Sequence, residues 1–593
     1  LSQALPPLRR IDGYLPLEDH GLVGDGSTAA LIGRDGAVSW LCVPRFDSPP
    51  LLCGLLDTHR GGHFRISLRD VTGGRQYYEP DTGVLVTELQ SANALVRVTD
   101  AMTFVEGASL LDEREMARGE LLRKIEVLRG PAPVEIVLAP RQGTTELGVH
   151  LDSNLSLTGW STEVTLEEGT VGWVALRWRS QSEPATFEAV MERTRSAWQT
   201  WSTYIQYDGP QRALVRRSAL TLKLLDYFGN GAIVAAPTSS LPEAIGGPRN
   251  WDYRYSWIRD AAFSVDALRA IGLVDEARGF LHWALRAFAK SGSPRVLYTV
   301  EGTPPEPEWT DPNLEGYRRS GPVRWGNAAA DQIQHDVYGE IVDCASQWAR
   351  LQGDITPALW AQLRPLIDAA SLAWRSPDQG IWEVRTPGRV FTYSAAVCQV
   401  ALERGASLAD RFGLEGDVAG WRRSADEIRE VIIHESWDED ERMFTEHLGG
   451  GNADASMLTL PLRKVVSALH PRMVSTTSAI VRRLGAGNGL LYRYLPRQSP
   501  DGLPGHEGAF LLCSFWLVDN FTLQGRLDEA HALYDSLCSR ANAVGLLPEQ
   551  IDPPTGAFLG NFPQAFSHVG VIQSGVRLAA AARRCPSPHL PIS

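Results

Sequence analysis

No apolar run in this chain approaches the roughly 18 residues of a membrane-spanning helix, so no membrane partner of that kind is expected. A basic surplus is also missing. Lys and Arg number 57 against 70 Asp and Glu, leaving a net charge of −13, whereas a nucleic-acid or anionic-membrane partner calls for a basic stripe. Cysteine is scarce. The seven residues (Cys42, Cys53, Cys344, Cys398, Cys513, Cys538, Cys585) are scattered, odd in number and without metal-type spacing. That pattern favours buried free thiols in a reducing compartment over a disulfide framework. Leu1 to Arg10 lack the basic start and apolar stretch of a signal peptide, so the cytoplasm is the expected location. The 13 histidines include no His-Glu-x-x-His, only isolated pairs such as His335-Asp336 and His506-Glu507, and no metal is expected. There is no Gly-x-Ser-x-Gly elbow to support a serine nucleophile and no usable nucleotide-binding glycine motif, so no cofactor is expected.

What is abundant is tryptophan, 18 residues whose flat apolar faces suit the C–H faces of sugar rings as well as the core. A neutral polyol substrate fits the charge. The length of 593 residues exceeds one ordinary core of about 100–200 residues, and the hydrophobic period changes along it. Up to about residue 190 the chain reads in twos. Val84–Leu89, Leu95–Val98, Leu122–Leu128, Val134–Leu138, Leu155–Thr158 and Val171–Trp178 are short runs separated by turn clusters such as Asp81-Thr82-Gly83. Such runs without helical patterns between them predict an antiparallel β-sandwich over residues 1–190. A linker is expected over 191–210. From 211 to 593 the period is 3.6, as in Leu214, Val215, Ser218, Ala219, Leu222 and Leu225. About twelve helices are predicted, starting near 211, 260, 274, 331, 356, 393, 417, 454, 471, 507, 526 and 565. Twelve helices with alternating short and long connections suit a double ring of six inner and six outer helices, a barrel whose loops gather at one end. The loops Leu297–Asn327 and Leu484–His506 carry Trp309, Tyr317, Trp325, Tyr492 and Tyr494 and are expected to wall a pocket there.

Three segments carry candidate chemistry. In Gly380-Ile381-Trp382-Glu383-Val384-Arg385 a glutamate adjoins tryptophan, where burial raises its pKa and lets it hold a proton. In Leu547-Pro548-Glu549-Gln550-Ile551-Asp552 a second glutamate is expected to stay ionised and activate water. Two carboxylates with divided roles are what acid–base cleavage of a glycosidic bond requires. The third segment, Asn250 to Asp260, is the densest polar-aromatic stretch. Arg259 donates and Asp260 accepts, so together they can read adjacent sugar hydroxyls, although Asp260 can equally serve only as a helix cap.

Over nearly its whole length the chain resembles glycoside hydrolase family 15, the glucoamylase and bacterial trehalase family. The likeness rests on Gly24-Asp25-Gly26-Ser27-Thr28-Ala29-Ala30-Leu31, on the segment from Gly36 to Ser48, and on Arg254-Tyr255-Ser256-Trp257-Ile258-Arg259-Asp260. Trp382-Glu383 and Glu549-Gln550-Ile551-Asp552 complete it. The resemblance implies a β-sandwich followed by an (α/α)6 barrel, and inverting hydrolysis of an α-glucosidic bond at the non-reducing end. It implies Glu383 as proton donor and Glu549 as water activator, with Arg259 and Asp260 holding the first glucose alongside Tyr255, Trp257 and Trp382. Arg493-Tyr494 resembles an Arg-Tyr pair on the same sugar, and Trp325-Gly326 a Trp-Gly at a subsite wall, where trehalase-like members are expected to carry an aliphatic residue. The chain departs from the family at Ala395, where bacterial members often have Lys. It departs again in the acidic, proline-rich loop Glu301–Asn313, which is expected to reshape the leaving-group subsite.

The substrates this implies are small α-glucosides such as trehalose or isomaltose, with longer α-glucans left open by Trp325. Two other readings stand beside it. An inverting phosphorylase would need an anion pocket, which a carboxylate at Glu549 opposes. A non-catalytic sugar-binding protein has no need of two such glutamates. A homo-oligomer is left open.

Overall fold

The computed structural model describes residues 4–112, 114–144, 148–179, 186–352 and 354–584. The N-terminal part is built from two antiparallel sheets. One has the order His20–Gly24, Ala29–Gly33, Ala37–Cys42, His63–Leu68, Ala132–Ala139, Ser161–Leu166, with Pro50–Leu52 paired to its third strand. The other runs His150–Ser153, Val171–Arg177, Ala117–Arg129, Leu95–Phe104, Leu85–Gln90, Gly73–Tyr78. Along Ala132–Ala139 burial alternates residue by residue, as a sheet with one covered face requires. Arg123 ties the sheets together. From the second sheet it pairs with Asp100 at 2.7 Å and donates to the carbonyls of Phe64 and Gly36, both at 2.9 Å. Both charges are fully buried, so the pair survives only because each is satisfied.

The expected strand Leu155–Thr158 is absent. Ser153 Oγ accepts from the Leu155 amide and Thr162 Oγ1 from the Thr158 amide, and these side-chain bonds take the place of a ladder. Most of the expected linker 191–210 is helix. Helix α1 (Phe187–Ser202) is capped by Thr186 and lays Val190 and Met191 on Val84, Ala101, Leu122 and Ala175. Apolar residues along α1 explain the difference, because they bury a face of the sheet that would otherwise meet water.

Twelve α-helices follow among the described residues: α2 (Arg212–Leu224), α3 (Ile258–Ala270), α4 (Asp275–Ser291), α5 (Asp336–Gln352), α6 (Pro357–Ala373), α7 (Thr392–Phe412), α8 (Val418–Glu435), α9 (Thr459–Leu462), α10 (Pro471–Leu484), α11 (Leu511–Leu523), α12 (Leu527–Cys538) and α13 (Ala565–Arg584). Helix α3 packs on α5, α5 on α7, and α7 on α9 with the 3-10 turn Ala455–Leu458 before it. That pair packs on α11, α11 on α13, and α13 returns to α3. The ring is closed, and α2, α4, α6, α8, α10 and α12 lie outside it. The sequence explains the division. Every residue from Leu511 to Thr522 of inner α11 is buried, whereas outer α8 buries only Trp421, Ala425, Ile428 and Ile432, one stripe at helical spacing. The fourth inner helix, predicted to start near 454, is reduced to that 3-10 turn and one α-turn before Arg463. The sandwich meets the barrel through Trp40, which stacks on Trp325 and donates from Nε1 to the Pro237 carbonyl at 2.7 Å.

No helix among the described residues is long and apolar enough to cross a membrane. The six described cysteines are buried free thiols, and Cys585 lies outside the described residues.

Candidate active site

The inner helices start at one end of the ring, and the chemistry-bearing residues lie in their first turns or in the segments that lead into them. Arg259 and Asp260 occupy the first turn of α3, and Asp336 opens α5. Glu383 precedes α7, Arg493 precedes α11 and Glu549 precedes α13. Asp260 does not act as the helix cap: α3 begins at Ile258 with Trp257 before it, which turns the Asp260 side chain toward the cavity.

Glu383 sits at φ +60°, a left-handed conformation that costs a non-glycine residue about 1–2 kcal/mol. The turn is held by the Glu383 amide donating to the Gly380 carbonyl and by Gln332 Nε2 donating to the Glu383 carbonyl at 3.1 Å. The strain aims its carboxylate inward, where Oε1 accepts from Trp257 Nε1 at 2.7 Å and from Arg259 Nη2 at 3.2 Å. Burial raises its pKa, against Arg259, the Trp257 donor and Arg493, which favour the anion. Trp382, beside it, is fixed by its Nε1 donating to Asp454 at 2.9 Å and by edge contacts with Phe510.

Glu549 is almost fully buried and pinned by a three-stranded patch, Ala509–Phe510, Gln550–Ile551 and Phe558–Leu559. Tyr253 donates its hydroxyl to Oε1 at 2.9 Å, and the Asn561 amide donates to Oε2 at 3.2 Å. Gly560, at φ +72°, makes room for this side chain, because a Cβ there would stand 2.2 Å from Oε2. The expectation that Glu549 stays ionised near neutrality is corrected. Burial, reinforced by the Glu243 carboxylate, pushes it up to about 8 despite Arg493 and the two donors. Burial likewise lifts Asp260 to about 8, against the pull of Arg259.

The cavity has two connected chambers. The inner one is lined by Glu549, Arg259, Asp260 and Trp257. The outer one is lined by Glu243, Arg249, Trp251, Asn327, Gln332, Arg385 and Tyr494. Tyr253, Trp382, Glu383 and Arg493 line both, so Glu383 stands at the junction. Arg259 is locked by Asp336 at 2.6 Å and Gln334 at 3.0 Å. Arg493 is held by Glu507 and by Glu243 at 3.2 Å. The acidic loop Glu301–Asn313 reaches the outer rim, where Glu308 forks onto Arg385 at 2.6 and 3.0 Å.

Two of the expected substrate contacts are corrected. Tyr255 packs in a buried cluster with Val296, Leu297 and Ala330, away from both chambers. Trp325 is spent on the domain junction, between Trp40 and the guanidinium of Arg254, with its Nε1 bonded to Asp311. Of the two long loops, Asn327, Arg493, Tyr494 and Leu503 line the chambers, whereas Trp309, Tyr317 and Tyr492 do not. Ala395 is fully buried in the core and lines neither chamber. Tyr253, Glu243, Asp336 and Glu507 were not singled out from sequence. Tyr253 alone had a visible signal, its place in the polar-aromatic stretch before Asp260.

A closed helical double ring with two buried carboxylates lining a cavity at one end, flanked by indole faces and hydroxyl-reading side chains, is the arrangement of a glycoside hydrolase. The chain belongs to glycosyl hydrolases family 15, whose family model matches residues 209–576; a model described as trehalase-like, N-terminal matches residues 12–195. It is 33% identical to a trehalase of Thermoplasma volcanium, covering 96% of this chain and 95% of that one. It is 35% identical to a trehalase of Mycolicibacterium smegmatis, covering 98% and 94%. A solved bacterial glucoamylase in complex with acarbose shares the fold, with a TM-score of 0.66, 14% identity, and coverage of 99% of this chain and 98% of that one.

Proposed function

We propose that the protein hydrolyses trehalose with inversion at one anomeric carbon, with Glu383 as general acid and Glu549 as general base. The observation that carries this reading is the position of Glu383 at the junction of the two chambers, while Glu549 lines only the inner one. A bound disaccharide then places its bridging oxygen at Glu383, the ring under attack in the inner chamber with Arg259 and Asp260, and the leaving sugar in the outer chamber. Water activated by Glu549 reaches the anomeric carbon from the face opposite the leaving oxygen. The hydroxyl of Tyr253 and the amide of Asn561 support the Glu549 anion as it takes the water proton. Burial helps Glu383 keep the proton it delivers to the leaving oxygen. The trehalase names of relatives that align over nearly the whole chain support trehalose over other α-glucosides. A cytoplasmic setting is part of the proposal and fits the six buried free thiols.

The test is an assay of the purified protein on trehalose, isomaltose, maltose, kojibiose, nigerose and dextran, with and without inorganic phosphate. Trehalose is expected to be cleaved fastest, with glucose as the only product in both buffers. Glucose 1-phosphate as product would favour the phosphorylase, and tight sugar binding without turnover the non-catalytic reading. A faster reaction on any other substrate of the panel would contradict the trehalose proposal.

A further inference from the structure

Glu243 is a carboxylate of the outer chamber to which the acid–base chemistry gives no task. It is 1% exposed and rigidly placed: its amide donates to the Arg249 carbonyl at 3.0 Å, and its carbonyl accepts from the Gly508 amide at 2.9 Å. Its Oε1 is occupied, accepting from Trp251 Nε1 and Arg493 Nη2, each at 3.2 Å. Its Oε2 is buried and has no hydrogen-bond partner among the described residues. Buried acceptors are rarely left empty, and this one belongs to a side chain that lines the outer chamber.

We infer that Glu243 is a specificity residue for the leaving sugar, its Oε2 accepting hydrogen bonds from hydroxyls of the ring that departs. This deepens the proposed function and rests on it, because the outer chamber is the leaving side only if Glu383 protonates the bridging oxygen. The chemistry is matched. A carboxylate oxygen has two lone pairs, and a glucose unit offers adjacent hydroxyl donors. The charge-assisted form of such a bond is the stronger kind. The guanidinium of Arg493, held between Glu243 and Glu507, keeps the acceptor oriented without occupying Oε2. The competing account is that Glu243 only anchors Arg493 and sets the field around Glu549, in which case every substrate depends on it equally.

The experiment compares wild type and Glu243→Gln on trehalose and on α-glucosyl fluoride, whose leaving group carries no hydroxyl. Glutamine keeps the oxygen facing Trp251 and Arg493 and puts an N–H donor where Oε2 accepted. The expected result is a fall of about 10- to 100-fold in the ratio of kcat/KM on trehalose to kcat/KM on the fluoride, mostly through KM for trehalose, because any change in the titration of Glu549 acts on both substrates and cancels. An unchanged ratio, whether both rates fall, rise or stay the same, overturns the inference. A wild-type enzyme inert toward both substrates instead sinks the hydrolase reading, so the two failures are separable. Should Glu243→Gln not fold, a crystal structure of Glu549→Gln with trehalose bound decides. A hydroxyl of the outer ring within hydrogen-bond distance of Glu243 Oε2 sustains the inference, and an Oε2 left without a sugar contact overturns it.

Discussion

Glu549→Gln is expected to lower kcat on trehalose by about 10²–10⁴-fold, the usual worth of general-base assistance, while leaving folding and sugar binding near wild type. Glutamine is nearly isosteric. Its oxygen accepts from the Asn561 amide while its N–H donates to the Tyr253 hydroxyl oxygen, so the three-stranded patch that holds the position is not disturbed. What is lost is the ability to take a proton from water. The pH dependence of the wild type belongs to the same expectation. Because burial raises both Glu383 and Glu549, and the reaction needs one protonated and the other ionised, kcat/KM should be bell-shaped in pH with its maximum above the ordinary carboxylate range. A Glu549→Gln enzyme with unchanged turnover, measured on protein of wild-type circular dichroism, would remove Glu549 from the mechanism.

The second large effect depends on the leaving group. Glu383→Gln is expected to lose about 10²–10⁴-fold on trehalose, whose departing sugar needs a proton, and no more than about tenfold on α-glucosyl fluoride, whose fluoride does not. The contrast separates an acid from a residue that merely shapes the site. Glutamine at 383 keeps an acceptor for Trp257 Nε1 and Arg259, so the ground-state geometry is largely retained. Equal losses on the two substrates would show that Glu383 holds the cavity together without protonating anything.

The architecture was largely legible because it follows from periodicity. Most helix starts fall within two residues of the positions read from the 3.6-residue pattern. The exceptions near 331, 454 and 507 are places where the 3-10 turns Ala328–Asp331 and Ala455–Leu458 and the strand Ala509–Phe510 extend the non-α lead-in. The proposed catalytic pair, Glu383 and Glu549, and Arg259-Asp260, all of which line the chambers, were singled out through short motifs. Aromatic destinations were not. Tyr255 and Trp325 have the same composition signal as Trp257 and Trp382, but packing decides whether an indole or phenol faces sugar or core. For Trp325 that decision is made by Trp40, 285 positions away in another domain. Tyr253 meets Glu549 across 296 residues and Glu243 meets Arg493 across 250, and no local pattern encodes such pairs. The ionisation of Glu549 was misjudged for the same reason, since its neighbour Glu243 is distant in sequence and its burial comes from the closed ring.

The central claim is that Glu383 and Glu549 act from opposite sides of one anomeric carbon. Proton NMR of the first glucose formed from trehalose, recorded before mutarotation, tests it directly. Trehalose joins two α-anomeric carbons, and only the attacked one is inverted. The account therefore predicts equal amounts of β- and α-glucose at the start of the reaction. Initial release of α-glucose alone would mean retention, and would contradict the account.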